Sequence, residues 1–338
     1  MAPHSVRGGP ELNVTDTADR RSGAARGHQG FFHETAFYGS DGEFLEIVVP
    51  FLAGGLEAGE PVVSVFSRHN QALVRDAFGS GSGIRFVDGD LHYARPASAI
   101  HRNRRMMADY VAAGAGQIRI AGDVPHPGVG VPWDWWARYE AAVNRLYGDF
   151  PLWGLCPYDL RHLSDEVFDQ VRSTHPFIAT GSGHFANPGY VEPDEFLTGR
   201  NSAWRDELED GAPLAEFTDP LPGQVREALI AAGRTTELSE TDIRGVVLGA
   251  SEAVTNAIKH GLPPVGVRIW RSPHRIVVTV TDSGPGWRDP YAGLLPALSG
   301  PAGGGLGLWL AHQMCNYVTF ERGREGFTIR LIAGRAEP

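Results

Sequence analysis

SEAVTNAIKHG, from Ser251 to Gly261, is the stretch on which the reading of this 338-residue chain turns. Its apolar spacing is helical, and Glu252 and Asn256 stand four apart on one face of that helix. Ala253, Val254, Ala257 and Ile258 are placed to face a core. An amide oxygen on the polar face can ligate a hard cation such as Mg²⁺, and a carboxylate one turn away can take a proton from an attacking hydroxyl. Lys259 and His260 close the helix within reach of phosphate oxygens. Taken alone, such a pair is usually an ordinary solvated helix face.

Two glycine-rich blocks follow in a fixed order. DSGPGW (Asp282 to Trp287) comes directly after a β-branched run, IVVTVTD, so Asp282 sits at a strand end. A carboxylate there can accept from an exocyclic amine such as adenine's, while Gly284 and Gly286 permit a tight turn and close approach of a ring. GGGLGLWLAHQMC (Gly303 to Cys315) is a glycine run entering an amphipathic helix, where unblocked N–H groups suit phosphates. Around these blocks the pattern predicts a short strand LAEF (Leu214 to Phe217), helices over 221–232 and 239–260, a hairpin of VGVRIW and IVVTVTD, and a final strand pair YVTFER and FTIRLI. That is an α/β sandwich with helices on one face of a mixed sheet.

The three blocks in this order resemble the N, G1 and G2 boxes of the GHKL ATPase superfamily, and within it the bacterial anti-sigma-factor serine kinases. The resemblance implies a Bergerat-type α/β sandwich that binds Mg²⁺ and ATP. It implies Glu252 as catalytic base, Asn256 as Mg²⁺ ligand, and Asp282 as the adenine contact, with Gly284, Gly286, Gly303, Gly305 and Gly307 shaping pocket and lid. The family's Thr near the adenine directly follows a glycine; here Phe327 follows Gly326, and Thr328 comes next. The implied partners are a sigma factor and a STAS-type anti-anti-sigma protein phosphorylated on serine, with homodimerisation through the ATP domain. Two other readings stand beside this one: an ATP-binding partner-switch module without phosphotransfer, and an atypical histidine kinase. The last needs a dimerising helical hairpin with a phosphoacceptor histidine before the ATP domain. Residues 182–220 are too short and too rich in Gly and Pro for that, and the HET at His33–Thr35 precedes the wrong domain.

The first half is written differently. Helical stretches alternate with short apolar runs: VVSVF (Val62 to Phe66), IRFVDG (Ile84 to Gly89), QIRIAGD (Gln117 to Asp123) and LWGLC (Leu152 to Cys156). Such alternation predicts an α/β unit with a mostly parallel sheet covered on both faces. FYGSDGEFLEIVVPFLAGGLEAGEPVVSVFS (Phe37 to Ser67), LCPYD (Leu155 to Asp159) and STHP (Ser173 to Pro176) resemble the MEDS sensory domain, which implies sensing of a small organic ligand. The opening segment is also similar to a RecA-like unit with a degenerate P-loop, since Tyr38 to Phe44 carries two carboxylates and lacks the lysine that meets phosphates. Candidate ligand contacts are His33, Tyr38, Asp123, Trp133, Cys156, Tyr158, Asp159 and His175. Asp123 and the Cys156–Asp159 stretch each follow a strand and are expected to line one crevice at the carboxyl edge of the sheet.

Composition bounds the rest. The formal charge of −10 argues against a nucleic-acid binder acting through a broad basic surface. Two distant cysteines, Cys156 and Cys315, match neither a metal-ligand spacing nor a disulfide framework, and no run is apolar enough to span a membrane, so the chain is expected in the cytoplasm. The expected organisation is a disordered tail over 1–30, the MEDS-like domain over 31–195, an acidic linker over 196–213, and the ATP-binding kinase domain over 214–338.

Overall fold

The computed structural model describes residues 21–125, 133–199, 204–287, 289–296, 306–323 and 326–334. In the first half, strands and helices alternate as β1 (Phe32–Tyr38), α1 (Asp41–Glu57), β2 (Val62–Phe66), α2 (Arg68–Phe78), β3 (Arg85–Asp88), α3 (Pro96–Ala112), β4 (Ile118–Gly122) and α4 (Trp133–Leu146). They continue as β5 (Leu152–Asp159), α5 (Asp165–Thr174), β6 (Phe177–Thr180), β7 (Gly183–Ala186) and α6 (Pro193–Gly199). The seven strands lie in the order β3-β2-β4-β5-β1-β6-β7, every neighbouring pair parallel except β6 with β7. Helices cover both faces, so β2 and β4 are buried along their whole length. One core packs Phe44, Val48 and Leu52 of α1 and Val74 of α2 against the sheet; the other packs Ile100, Met107, Trp136 and Val143 of α3 and α4.

Two features differ from the sequence expectation. FHETAFY carries too many polar residues to read as a buried strand, yet it is β1, paired with both β5 and β6. Residues 21–30, assigned by composition to the tail, are packed: the Arg21 guanidinium is buried and donates to Gln117 Oε1 at 2.7 Å and the Leu152 carbonyl at 2.8 Å. At the degenerate P-loop, Gly39 N–H donates to Glu43 Oε2 at 2.7 Å, so the chain's own carboxylate takes a donor that a phosphate would need.

The second half comprises β8 (Ala215–Thr218), α7 (Pro222–Gly233), α8 (Glu240–His260), β9 (Gly266–Ser272), β10 (Arg275–Asp282), α9 (Leu306–Met314), β11 (Tyr317–Gly323) and β12 (Gly326–Gly334). The sheet order is β11-β12-β10-β9-β8, and all pairs are antiparallel rather than mixed. Ser239 caps α8 by accepting from Asp242 N–H, and acidic residues fill the first turn while Lys259 and His260 fill the last, matching the helix dipole. Val246, Ala250, Ala253, Val254 and Ala257 turn inward, whereas Ile258 is 52% exposed and does not join the core. The opposite sheet face is covered by residues 204–210: Trp204 and Leu208 pack on Trp270, Val277 and Ile332, Glu209 pairs with buried Arg330, and Asp206 pairs with Arg275.

The two halves share one continuous hydrophobic core. Trp135 of α4 stacks on His312 of α9 with ring centroids 5.0 Å apart and planes 9° from parallel. Beside them His101 of α3 meets Trp309 edge-on, Ser98 Oγ donates to Gln313 Oε1 at 2.8 Å, and Arg95 pairs with Asp242 at 2.7 Å. The helix that follows the glycine loop is therefore seated on α3 and α4.

Candidate functional site

Helix α8 presents Glu252 and Asn256 half-buried, one turn apart, and neither makes a hydrogen bond to another described residue. Gly307 in the first turn of α9 lies against the Glu252 carboxylate: a Cβ there would stand 2.0 Å from Oε2. Asp282, buried at the end of β10, accepts at Oδ1 from Gly284 N–H at 2.7 Å and Leu262 N–H at 3.2 Å. Those bonds aim the carboxylate at the C-terminus of α8. Gly286 adopts φ +72°, and its α-carbon faces the Phe327 ring so closely that a Cβ would lie 2.2 Å from it. Lys259 and His260 are exposed at the helix end. Gly303 and Gly305 lie outside the described residues.

Thr328 is not where its place beside Phe327 suggested. Alternation along β12 sends Phe327 and Ile329 toward the helices, and Thr328 to the other face. There it bonds Thr281 Oγ1 at 2.8 Å and lines a groove with Thr279, Glu321 and Arg330, so the sheet separates it from the helix side where Phe327 packs.

The eight sensor candidates fall into two places, and Cys156 and Tyr158 do not join Asp123 at the carboxyl edge. The apolar run LWGLC stops at Cys156, but β5 runs on through Pro157 to Asp159. Beyond Leu155 it pairs only with β1, a position that tolerates the missing proline N–H. The first group lies under α4: His33 of β1, Cys156 of β5 and His175 after α5 converge, with His33 Nε2 3.4 Å from Cys156 Sγ. Tyr158 belongs to this group through its hydroxyl, which donates to Glu140 Oε1 at 2.7 Å, and Trp133 packs edge-on against Tyr158 while its Nε1 donates to Gln170. Burial depresses the imidazoles of His33, to about 4, and His175, to about 3, and raises the Glu140 carboxyl and the Cys156 thiol.

The second group is at the carboxyl edge. Asp123 accepts from Ser67 N–H at 2.6 Å, Ser67 Oγ at 2.7 Å and Asn70 Nδ2 at 2.8 Å, and the same amide reaches Tyr38. Burial raises Asp123 to about 6 against these bonds. At the same edge Asp159, the register partner of Tyr38, is held by Arg161, which bridges to Asp41. A cleft of about 680 Å³ opens on the far side of β1 and β5 beside Glu34, Pro50, Arg119, Trp153 and His184; none of the eight lines it.

Family comparison divides the chain at the same place. Residues 32–176 match MEDS, the methanogen/methylotroph DcmR sensory domain, and residues 220–333 match the histidine kinase-like ATPase domain. The chain joins a MEDS sensory domain to a histidine kinase-like ATPase domain. No curated protein matches it. Among solved structures it is similar to the RsbU and RsbW domains from Mycobacterium tuberculosis, at 20% identity and TM-score 0.26, over 38% of this chain and 34% of that one. It is also similar to the histidine kinase domain of the E. coli osmosensor EnvZ, at 18% identity and TM-score 0.24, over 38% of this chain and 92% of that one. The chain thus spans about a third of the first of these structures, and neither likeness bears on function.

The ATPase domain has a donor set that suits Mg²⁺-ATP: an uncommitted amide oxygen and carboxylate on α8, and backbone positions where a side chain would intrude. In the MEDS domain, sequence reasoning missed Glu140 and Asn144 of α4. A signal was present, because Trp133, Trp136, Ala137, Glu140 and Asn144 fall on one helical stripe, which places a carboxylate and an amide among core residues. Among the described residues, no helix is long and apolar enough to cross a membrane.

Proposed function

We propose that the chain is a sensor-controlled, ATP-dependent protein serine kinase of the anti-sigma type. In this reading it sequesters a sigma factor and phosphorylates a serine of a STAS-type partner. The observation that carries the reading is the pairing of Glu252 and Asn256 on α8 opposite Gly307 of α9. Asn256 holds the metal through its amide oxygen, and bound Mg²⁺ neutralises phosphate charge. Glu252 takes the proton of the attacking serine hydroxyl, and Asp282 accepts from the adenine amine. The docking of α9 on α3 and α4 supports control by the sensor: a ligand that shifts α4 moves the platform under the helix that follows the glycine loop.

The test is phosphoryl transfer from Mg²⁺-ATP to candidate STAS proteins recovered by pull-down. Glu252→Ala is expected to keep nucleotide binding and lose transfer by about 10²-fold or more. Tight nucleotide binding by the unaltered chain with no transfer to any recovered partner would instead assign ATP a purely conformational role.

A further inference from the structure

Four buried acceptor atoms converge beneath α4. His33 Nε2 lies 3.4 Å from Glu140 Oε2 and 3.4 Å from Cys156 Sγ, and His175 Nε2 lies 3.6 Å from the same Glu140 oxygen. One ligand atom from each of the four residues lies within 4.8 Å of every other. The side chains of His33, Glu140 and His175 are 0–1% exposed.

The surrounding hydrogen bonds decide which atoms point inward. Asn144 Nδ2 donates to the Glu140, Ala141 and Thr174 carbonyls, which fixes its Oδ1 as the acceptor facing His33 Nδ1 at 2.9 Å. His33 therefore carries its proton on Nδ1 and turns the Nε2 lone pair inward. His175 Nδ1 faces the Val171 carbonyl at 2.8 Å, which can only accept, so its Nε2 is also a lone pair. Tyr158 occupies Glu140 Oε1. Glu140 Oε2 and His175 Nε2 are left buried with no hydrogen-bond partner. Two lone pairs, a carboxylate oxygen and a sulfur facing one another form a donor set that protons or a bound cation can bridge.

We infer that His33, Glu140, Cys156 and His175 form a four-coordinate site for a divalent metal of the zinc class. Bond lengths of about 2.0–2.3 Å to N, O and S ligands set tetrahedral edges of about 3.3–3.8 Å; three of the six separations, at 3.4, 3.4 and 3.6 Å, fall in that range, and all six lie within 4.8 Å. A thiolate and a carboxylate balance the dication, so the filled pocket is neutral. Asn144, Val171 and Tyr158 orient the ligands from outside, as partners of metal-bound imidazoles and carboxylates do. All four positions come from the protein, which makes the site closed and leaves no place for a substrate water. Glu140 shares α4 with Trp135, so the metal is fastened to the helix on which His312 of the ATPase domain stacks.

The inference is independent of the kinase reading, because metal uptake is measured on the full, untagged chain without nucleotide or partner. After dialysis against Zn²⁺ or Co²⁺, elemental analysis is expected to give one equivalent per chain. The Co²⁺ form is expected to show intense tetrahedral d–d bands with a thiolate-to-metal band in the near ultraviolet. Cys156→Ser should abolish the thiolate band and weaken affinity by at least about tenfold. Should that variant not fold, Glu140→Gln, which keeps an acceptor for Tyr158, should weaken affinity while leaving the thiolate band in place. Less than one equivalent in the unaltered chain, or an octahedral spectrum untouched by both variants, would overturn the assignment.

Discussion

Replacing Gly307 with alanine separates chemistry from stability at the ATP site. The added Cβ would stand 2.0 Å from Glu252 Oε2, 2.7 Å from Cδ and 2.9 Å from Cγ. Ordinary contact is about 3.5 Å, so the carboxylate has to retreat by about 1.5 Å. It can do so, because the obstructed atoms are the end of a side chain that makes no hydrogen bond to another described residue. The rotamer change costs about 0.5–1.5 kcal/mol, while alanine in place of glycine within α9 contributes about 0.5–1 kcal/mol. Net stability should stay within about 1 kcal/mol, a shift of a few degrees in Tm. A general base displaced by more than 1 Å loses about 10²-fold in rate or more. The assay is ATP turnover and transfer to a partner, read beside nucleotide affinity and thermal unfolding. Gly307→Ala should lose the rate and keep Tm. Unchanged turnover would show that Glu252 is not the base; a loss of several kcal/mol would show that α9 and α8 are packed more rigidly than this geometry implies.

Gly286→Ala should behave oppositely. Its φ of +72° strains any side chain by about 1–2 kcal/mol, and the Cβ would press on the Phe327 ring, itself wedged against Trp287 and Phe320. Urea unfolding should show at least about 2 kcal/mol lost. His312→Phe should flatten the acid side of the stability profile. Burial, and secondarily Arg138, lower the His312 pKa to about 3 from 6.5, so below 6.5 the unfolded chain binds a proton that the folded chain refuses. Stability then falls as pH drops, by about 1.4 kcal/mol per unit, or about 2 kcal/mol between pH 7 and 5. Phenylalanine keeps the stack on Trp135 and removes that slope; urea midpoints at both pH values that fall equally in the two proteins would contradict it.

What could be read from the sequence was local. Glu252 and Asn256 share a helix face through their spacing and Gly307 sits in a glycine-rich helix start, so their positions could be read from short stretches. Sheet direction does not, because pairing is settled between distant strands; the C-terminal sheet proved fully antiparallel. β1 was hidden because His33, Glu34 and Thr35 interrupt any apolar run, whereas each has a hydrogen-bond partner elsewhere in the chain: Asn144, Trp153 and the Cys156 carbonyl. The convergence under α4 joins positions 33, 140, 156 and 175, a grouping that only the three-dimensional fold assembles. Thr328 failed for a simpler reason, since one residue along a strand is a change of face.

The ion pairs under residues 204–210 have a practical consequence for dissecting the molecule. Arg330 is 1% exposed and Arg275 9%, and their acidic partners Glu209 and Asp206 precede the first strand of the ATPase sheet. A fragment cut at Leu214 would take Asp206 from Arg275 and leave Glu321 as the acidic partner of Arg330 in place of the buried Glu209, and breaking a buried pair in that way costs about 3–5 kcal/mol. Excision of an autonomous catalytic half therefore has to begin upstream of Trp204, however much that acidic stretch resembles a disposable hinge.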